Sequence, residues 1–139
     1  MSKVFLVRRE RFNAAHRMYR ADWSDEQNME VYGKCSNPNW HGHNYVLYVT
    51  VKGEVDPEIG YVVNLKKLST VINEYVISKL DHKNINIEVA FMNGRNPSSE
   101  NIAIAIWEQL ELPIKQLGIE LHSIKLEETE NNFVEYFGD

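Results

Sequence analysis

Hydrophobic and polar positions follow two different periods along this chain, and the switch falls at Asn64. Before it, "VFLVRRERFNAAHR" (Val4 to Arg17) mixes an apolar run with loose alternation, which predicts a first strand. "NYVLYVTVKG" (Asn44 to Gly53) is β-branched and aromatic and predicts a second. "EVDPEIG" reads as a turn, and "YVVNL" (Tyr61 to Leu65) is expected to pair back as the other arm of a hairpin. Between the first two strands lies "MYRADWSDEQNMEVYGKCSNPN", about two dozen polar, turn-rich residues. A structureless stretch of that length in a compact domain is usually functional or disordered.

From Asn64 the spacing changes. Leu65, Leu68, Ile72, Tyr75, Val76 and Lys79 recur at three- and four-residue intervals behind a good N-cap, predicting a helix from about Leu65 to Lys79. "LDHKNINIEVAFMNGRN" is irregular. "NPSSENIAIAIWEQLEL" opens with cap residues and places Ile102, Ile106 and Leu110 on one face, a second helix expected to end near Pro113. "ELHSIKLEET" and "FVEYF" give two closing strands around "ENN". The order predicts an α+β fold, an antiparallel sheet with two helices on one face. A single open sheet leaves edges, and edges are commonly covered or paired, so association through the sheet is expected.

Composition narrows the class of protein. The 139 residues suit a single domain spanning 1–139, and 43% hydrophobic residues supply a core. A formal net charge of −5 argues against general nucleic-acid binding. The lone cysteine forms no internal disulfide. The apolar patch Val4 to Val7 is too short for a signal segment, and no run approaches a membrane span. The expectation is a cytoplasmic protein with no membrane partner.

The softest ligands are concentrated in "YGKCSNPNWHGHNY", Tyr32 to Tyr45. His41 and His43 are two apart where the polar stretch meets a strand, so both imidazoles point the same way. A zinc ion that keeps a position open for substrate takes three protein ligands at ~2.0–2.1 Å. His16, at the end of the first strand, is the third candidate if that strand neighbours "NYVLYV". His122, in an alternating strand, reads as structural or exposed. Cys35 has two readings: a fourth ligand that closes the site, or a thiolate beside an open one, favoured by its neighbour Lys34. Asp81 and His82 follow the first helix, where the acid can orient the imidazole and the imidazole can deprotonate Cys35. Ser98, Ser99, Glu100 and Asn101 open the second helix with donors suited to anions or polar ligand edges. Glu128 ends a strand, where a carboxylate can accept two hydrogen bonds from a planar amino-pyrimidine edge.

Together these segments resemble the 6-pyruvoyl-tetrahydropterin synthase family. "FNAAHR", "YGKCSNPNWHGHNY", "VTVKGEVDPEIGYVVNL", "LDHKNIN", "SSENIAIAIWEQL" and "EETENN" match in order from about Phe5 to the end. The resemblance implies a T-fold, a four-stranded antiparallel sheet with two helices, assembled into barrels. It implies homohexamers of two stacked trimers, with active sites between subunits. It implies zinc on His16, His41 and His43, Cys35 as the proton-abstracting thiolate, and Asp81 and His82 as a relay. Glu128, which precedes Thr129 as in the family's Glu-Thr pattern, becomes the pterin anchor, with Ser98, Ser99 and Glu100 near the substrate. The implied reaction is zinc-dependent triphosphate elimination from 7,8-dihydroneopterin triphosphate, giving 6-pyruvoyl-tetrahydropterin for tetrahydrobiopterin-type synthesis. The related 6-carboxy-tetrahydropterin synthases of queuosine biosynthesis are expected to have a shorter stretch between the Cys and "HGH"; here "SNPNW" intervenes, as in the pyruvoyl type. A different class, a non-catalytic zinc or pterin-binding protein, gives no role to "LDH" or "EET". Two positions depart from the family pattern. Trp40 stands where a small residue is more usual, which predicts crowding of the site, and Ser98–Ser99 replaces a threonine-containing pair.

Overall fold

Strands β1 (Lys3–His16) and β2 (His41–Glu54) form one long antiparallel pair, with Lys3 opposite Glu54 at one end and His16 opposite His41 at the other. The computed structural model describes residues 2–139. β4 (Glu120–Thr129) pairs with β2, and β5 (Asn132–Tyr136) pairs with β4, both antiparallel. A fifth strand, β3 (Lys83–Asn84), adds a short parallel contact to β1 at Ala14 and Ala15, and the sheet order is β3-β1-β2-β4-β5. The antiparallel α+β architecture is as expected from sequence, with five strands rather than four.

Alternation decides which face carries the core. Phe12, Ala14 and His16 on β1, Tyr45, Leu47, Val49 and Val51 on β2, and Leu121, Ile124 and Leu126 on β4 are all buried. Against this face pack α2 (65–80) and α3 (Ser99–Lys115), contributing Leu68, Ile72, Val76, Leu80, Ile102, Ile106, Leu110 and Ile114. Burying a side chain of this kind contributes roughly 1.5–3 kcal/mol, so this shared layer sets the position of both helices. The opposite face stays uncovered, with Phe5, Val7 and Phe133 exposed.

Cap chemistry fixes the helix starts. The Asn64 side chain accepts from the Lys66 and Lys67 N–H groups, and Ser98 Oγ accepts from Asn101 N–H. α2 widens into a π turn at Asn73–Ile77. α3 runs past the expected stop at Pro113 to Lys115, because Pro113 and Ile114 are both buried and their packing offsets the missing backbone donor.

Two further expectations change. "YVVNL" is not a strand: Asp56 and Tyr61 close a turn, and the segment plugs the end of the core. Val63 is buried, and Val62 packs so close to Gly53 that a β-carbon there would meet its Cγ1 at 2.6 Å. Apolar alternation without a partner strand gave the false pairing signal. The long polar stretch contains α1 (Asp25–Tyr32), capped by Ser24, whose only buried residue is Asn28. Asn28 exchanges hydrogen bonds with the Arg20 backbone, at 2.8 and 3.0 Å, instead of presenting an apolar stripe. Among the described residues, no helix is long and apolar enough to cross a membrane.

Candidate active site

The open end of the β1–β2 pair gathers the three histidines. His16 is opposite His41, and Ala14 is opposite His43, so parity places all three imidazoles on the core face. One ring nitrogen from each lies within 4.8 Å of the other two. His16 is fully buried, and its Nδ1–H donates to the Pro97 carbonyl at 2.8 Å, which leaves Nε2 as the lone-pair nitrogen. His16 Nε2, His41 Nδ1 and His43 Nε2 are all buried without a hydrogen-bond partner. Buried polar atoms are ordinarily satisfied, and three orphaned nitrogens converging on one point fit a metal ion. The residues present therefore suit an open three-histidine centre.

Burial lowers the His16 pKa below the ordinary imidazole value, opposed by the Pro97 carbonyl and reinforced by His41. Burial, with His43 beside it, does the same for His41. Neutral rings are the metal-binding form. A stability consequence follows for metal-free protein. Above the ordinary value of 6.5, these rings are neutral in both folded and unfolded chains and contribute no pH dependence. Below 6.5 the unfolded chain takes protons that the folded chain resists, so stability falls with falling pH. Chelator-stripped protein is expected to melt at steadily lower temperature as pH drops through this region. A melting temperature insensitive to that change contradicts the burial argument.

Tyr45 continues the alternation beyond His43 and is fully buried, with its hydroxyl 3.5 Å from His16 Nδ1 and its ring stacked on Phe12. Burial pushes its phenol well above the ordinary value. It shares the cradle of His16 and was not singled out from the sequence, although the period in "HGHNY" continues to it.

Cys35 is exposed, in a tight helical turn (Gly33–Ser36) at the end of α1. The turn is tied to the segment just beyond β1, where Met18 N–H donates to the Cys35 carbonyl at 2.8 Å. The metal-suited cluster comprises the three histidines without Cys35, so the structure does not support the fourth-ligand reading. The thiol instead lines two cavities. One, of about 350 Å³, also holds His16, Ser98, Ser99, Glu100 and Glu128. The other, of about 410 Å³, holds Lys34, His41 and His43. Ser99 Oγ–H donates to Glu128 Oε2 at 2.6 Å, and Glu128 Oε1 lies 3.3 Å from His43 Nε2. The carboxylate is thus positioned from the helix start on one side and faces the histidines on the other. Met18 and β5 residues Asn132, Phe133 and Val134 complete the first cavity. Nothing in their sequence pattern marked them, because β5 is placed there by its pairing with β4.

Asp81 and His82 stand elsewhere. Asp81 Oδ1 accepts from Asn13 N–H at 2.8 Å, and His82 N–H donates to the Asn13 carbonyl at 2.6 Å, fixing the pair to the outer edge of β1. His82 Nδ1 lies 3.1 Å from Asp81 Oδ2, and the ring is 81% exposed. The Asn13 N–H, then His82, hold the Asp81 carboxyl below its ordinary range. Neither residue lines a cavity with Cys35. Trp40 is not among the residues that line either cavity. Its φ of 68° explains why a small residue suits the turn that leads into His41.

The fold and site define a T-fold protein with an open three-histidine centre and a thiol at the junction of two cavities. The family model for 6-pyruvoyl tetrahydropterin synthase matches residues 5–139. The 6-pyruvoyl tetrahydrobiopterin synthase of Pongo abelii is 45% identical over 95% of this chain and 90% of its own. That of Dictyostelium discoideum is 45% identical over 98% and 97%. The solved structure of the Caenorhabditis elegans 6-pyruvoyl tetrahydropterin synthase superposes with a TM-score of 0.92 at 39% identity, covering 100% of this chain and 98% of that one. The chain belongs to the 6-pyruvoyl tetrahydropterin synthase family.

Proposed function

We propose that this chain, 1–139 as one T-fold unit, is a cytoplasmic zinc-dependent lyase that converts 7,8-dihydroneopterin triphosphate to 6-pyruvoyl-tetrahydropterin. The observation that carries the reading is the place of Cys35, the one residue shared by the Glu128 cavity and the His41–His43 cavity. His16, His41 and His43 would hold the zinc, which when bound supplies Lewis acidity that makes a C–H beside a hydroxyl easier to deprotonate. Glu128, oriented by Ser99, accepts hydrogen bonds from the amino-pyrimidine edge and seats the ring, with Ser98 and Glu100 along the same wall. The Cys35 thiolate takes a proton from the side-chain carbon. The freed electron pair moves toward the ring C=N bond, and a proton returns at ring nitrogen. A second deprotonation expels triphosphate with the C–O electron pair, and tautomerisation gives the diketone side chain. Atoms balance without an external oxidant or reductant.

The thiol needs a group to exchange protons with, and Asp81–His82 is the relay expected from the family pattern. Its location at an open sheet edge, away from its own Cys35, supports a site shared between copies: the dyad of one subunit serving Cys35 of the next in a homohexamer. Cys35→Ala and His82→Ala proteins, each inactive alone, are then expected to regain triphosphate release when co-expressed and co-assembled. Mixed assemblies that remain inactive, with wild-type mixtures active, count against a shared site.

A further inference from the structure

We propose that Lys34 binds the polyphosphate end of the substrate, making the site acidic where the ring sits and cationic where the leaving group departs. The inference rests on the lyase reading above. The cavity around Glu128 also carries Glu100 and is lined by no lysine or arginine. A polyphosphate placed there would meet like charge, which costs several kcal/mol when solvent is excluded. The second cavity, on the other side of Cys35, is lined by Lys34, His41 and His43, together with Asn37 and Met29. Among the described residues, Lys34 is thus the only lysine or arginine that lines either cavity.

Arg17, Arg20 and Arg95, which line neither cavity, are already engaged. Arg17 Nε donates to the Ser36 carbonyl at 2.7 Å, and its head lies 4.0 Å over the Tyr19 ring. Arg20 pairs with Asp22 and Arg95 with Glu108. Lys34 has no carboxylate within 4.0 Å among the described residues. Its backbone is held by the Gly33–Ser36 turn, where its carbonyl accepts from Asn37 N–H at 3.2 Å. A lysine anchored through its backbone, with an exposed cationic side chain one residue from Cys35, suits an extended ligand. The ring lies toward Glu128, the reacting carbons lie over the histidines, and the phosphates reach Lys34. A cation there also favours departure of the leaving oxygen as the C–O bond breaks.

The test is calorimetric titration of metal-loaded protein with inorganic tripolyphosphate, in excess magnesium so that the site metal is not extracted. Wild type, Lys34→Ala and Lys34→Arg are compared, each also titrated with unphosphorylated 7,8-dihydroneopterin. Lys34→Ala is expected to weaken tripolyphosphate binding about tenfold, as for loss of one charge-assisted contact. Lys34→Arg should bind it nearly as wild type, and dihydroneopterin affinity should be unchanged throughout. Equal tripolyphosphate affinity in wild type and Lys34→Ala overturns the proposal, as does a parallel loss of affinity for both ligands. If wild type turns substrate over while tripolyphosphate binding ignores Lys34, the anion site falls and the lyase reading stands. Lys34-dependent binding in a protein that forms no pterin product leaves the anion site and removes the lyase reading.

Discussion

Cys35→Ala is expected to lower turnover by about 10²–10⁴-fold, the range for removal of a positioned acid or base, while the metal stays bound. The two halves of this result separate the alternatives left open by the sequence. A cysteine that closes a structural site would take the metal and fold stability with it when removed. Here the three histidine nitrogens form a cluster without the sulfur, and the cysteine is exposed on a turn held by a backbone hydrogen bond to Met18, just beyond β1. Its loss removes no buried packing, so the melting temperature should scarcely move. Metal content by elemental analysis, melting temperature and turnover on one preparation decide the matter. Loss of metal in Cys35→Ala would return the cysteine to the ligand set.

His43→Ala is expected to deplete the metal, with a drop in affinity beyond the roughly 10–100-fold that accompanies loss of an outer-shell partner. It removes one of three converging nitrogens and leaves His16 Nε2 and His41 Nδ1 with two-point coordination. A second consequence follows from Glu128, whose Oε1 lies 3.3 Å from His43 Nε2. Without the imidazole that carboxylate keeps its Ser99 hydroxyl but loses its neighbour on the histidine side, so pterin binding should weaken as well. Full metal occupancy in His43→Ala would contradict the three-histidine centre outright.

The site was more legible than its surroundings. His41 and His43 are two apart on a strand, and only the pairing of β1 with β2 was needed to bring His16 opposite them. Glu128, Ser98 and Ser99 were legible as element ends: a strand terminus and an N-cap declare themselves through local chemistry. What the sequence hid depends on tertiary placement. α1 carries no apolar stripe because its buried residue is an amide, so periodicity had nothing to detect. "YVVNL" looks like a strand and serves as a plug over Gly53. The adjacency of Asp81 and His82 suggested a relay, but a backbone anchor to Asn13 turns the pair toward the sheet edge. No local pattern encodes which copy of the chain such an edge will meet.

The most direct measurement is mass-spectrometric identification of the products when purified, zinc-loaded protein is incubated with 7,8-dihydroneopterin triphosphate. Inorganic triphosphate and 6-pyruvoyl-tetrahydropterin are expected in equal amounts. The carboxy-tetrahydropterin with acetaldehyde would move the chemistry to the alternative branch, and unchanged substrate with zinc fully bound would contradict the catalytic role given to Cys35.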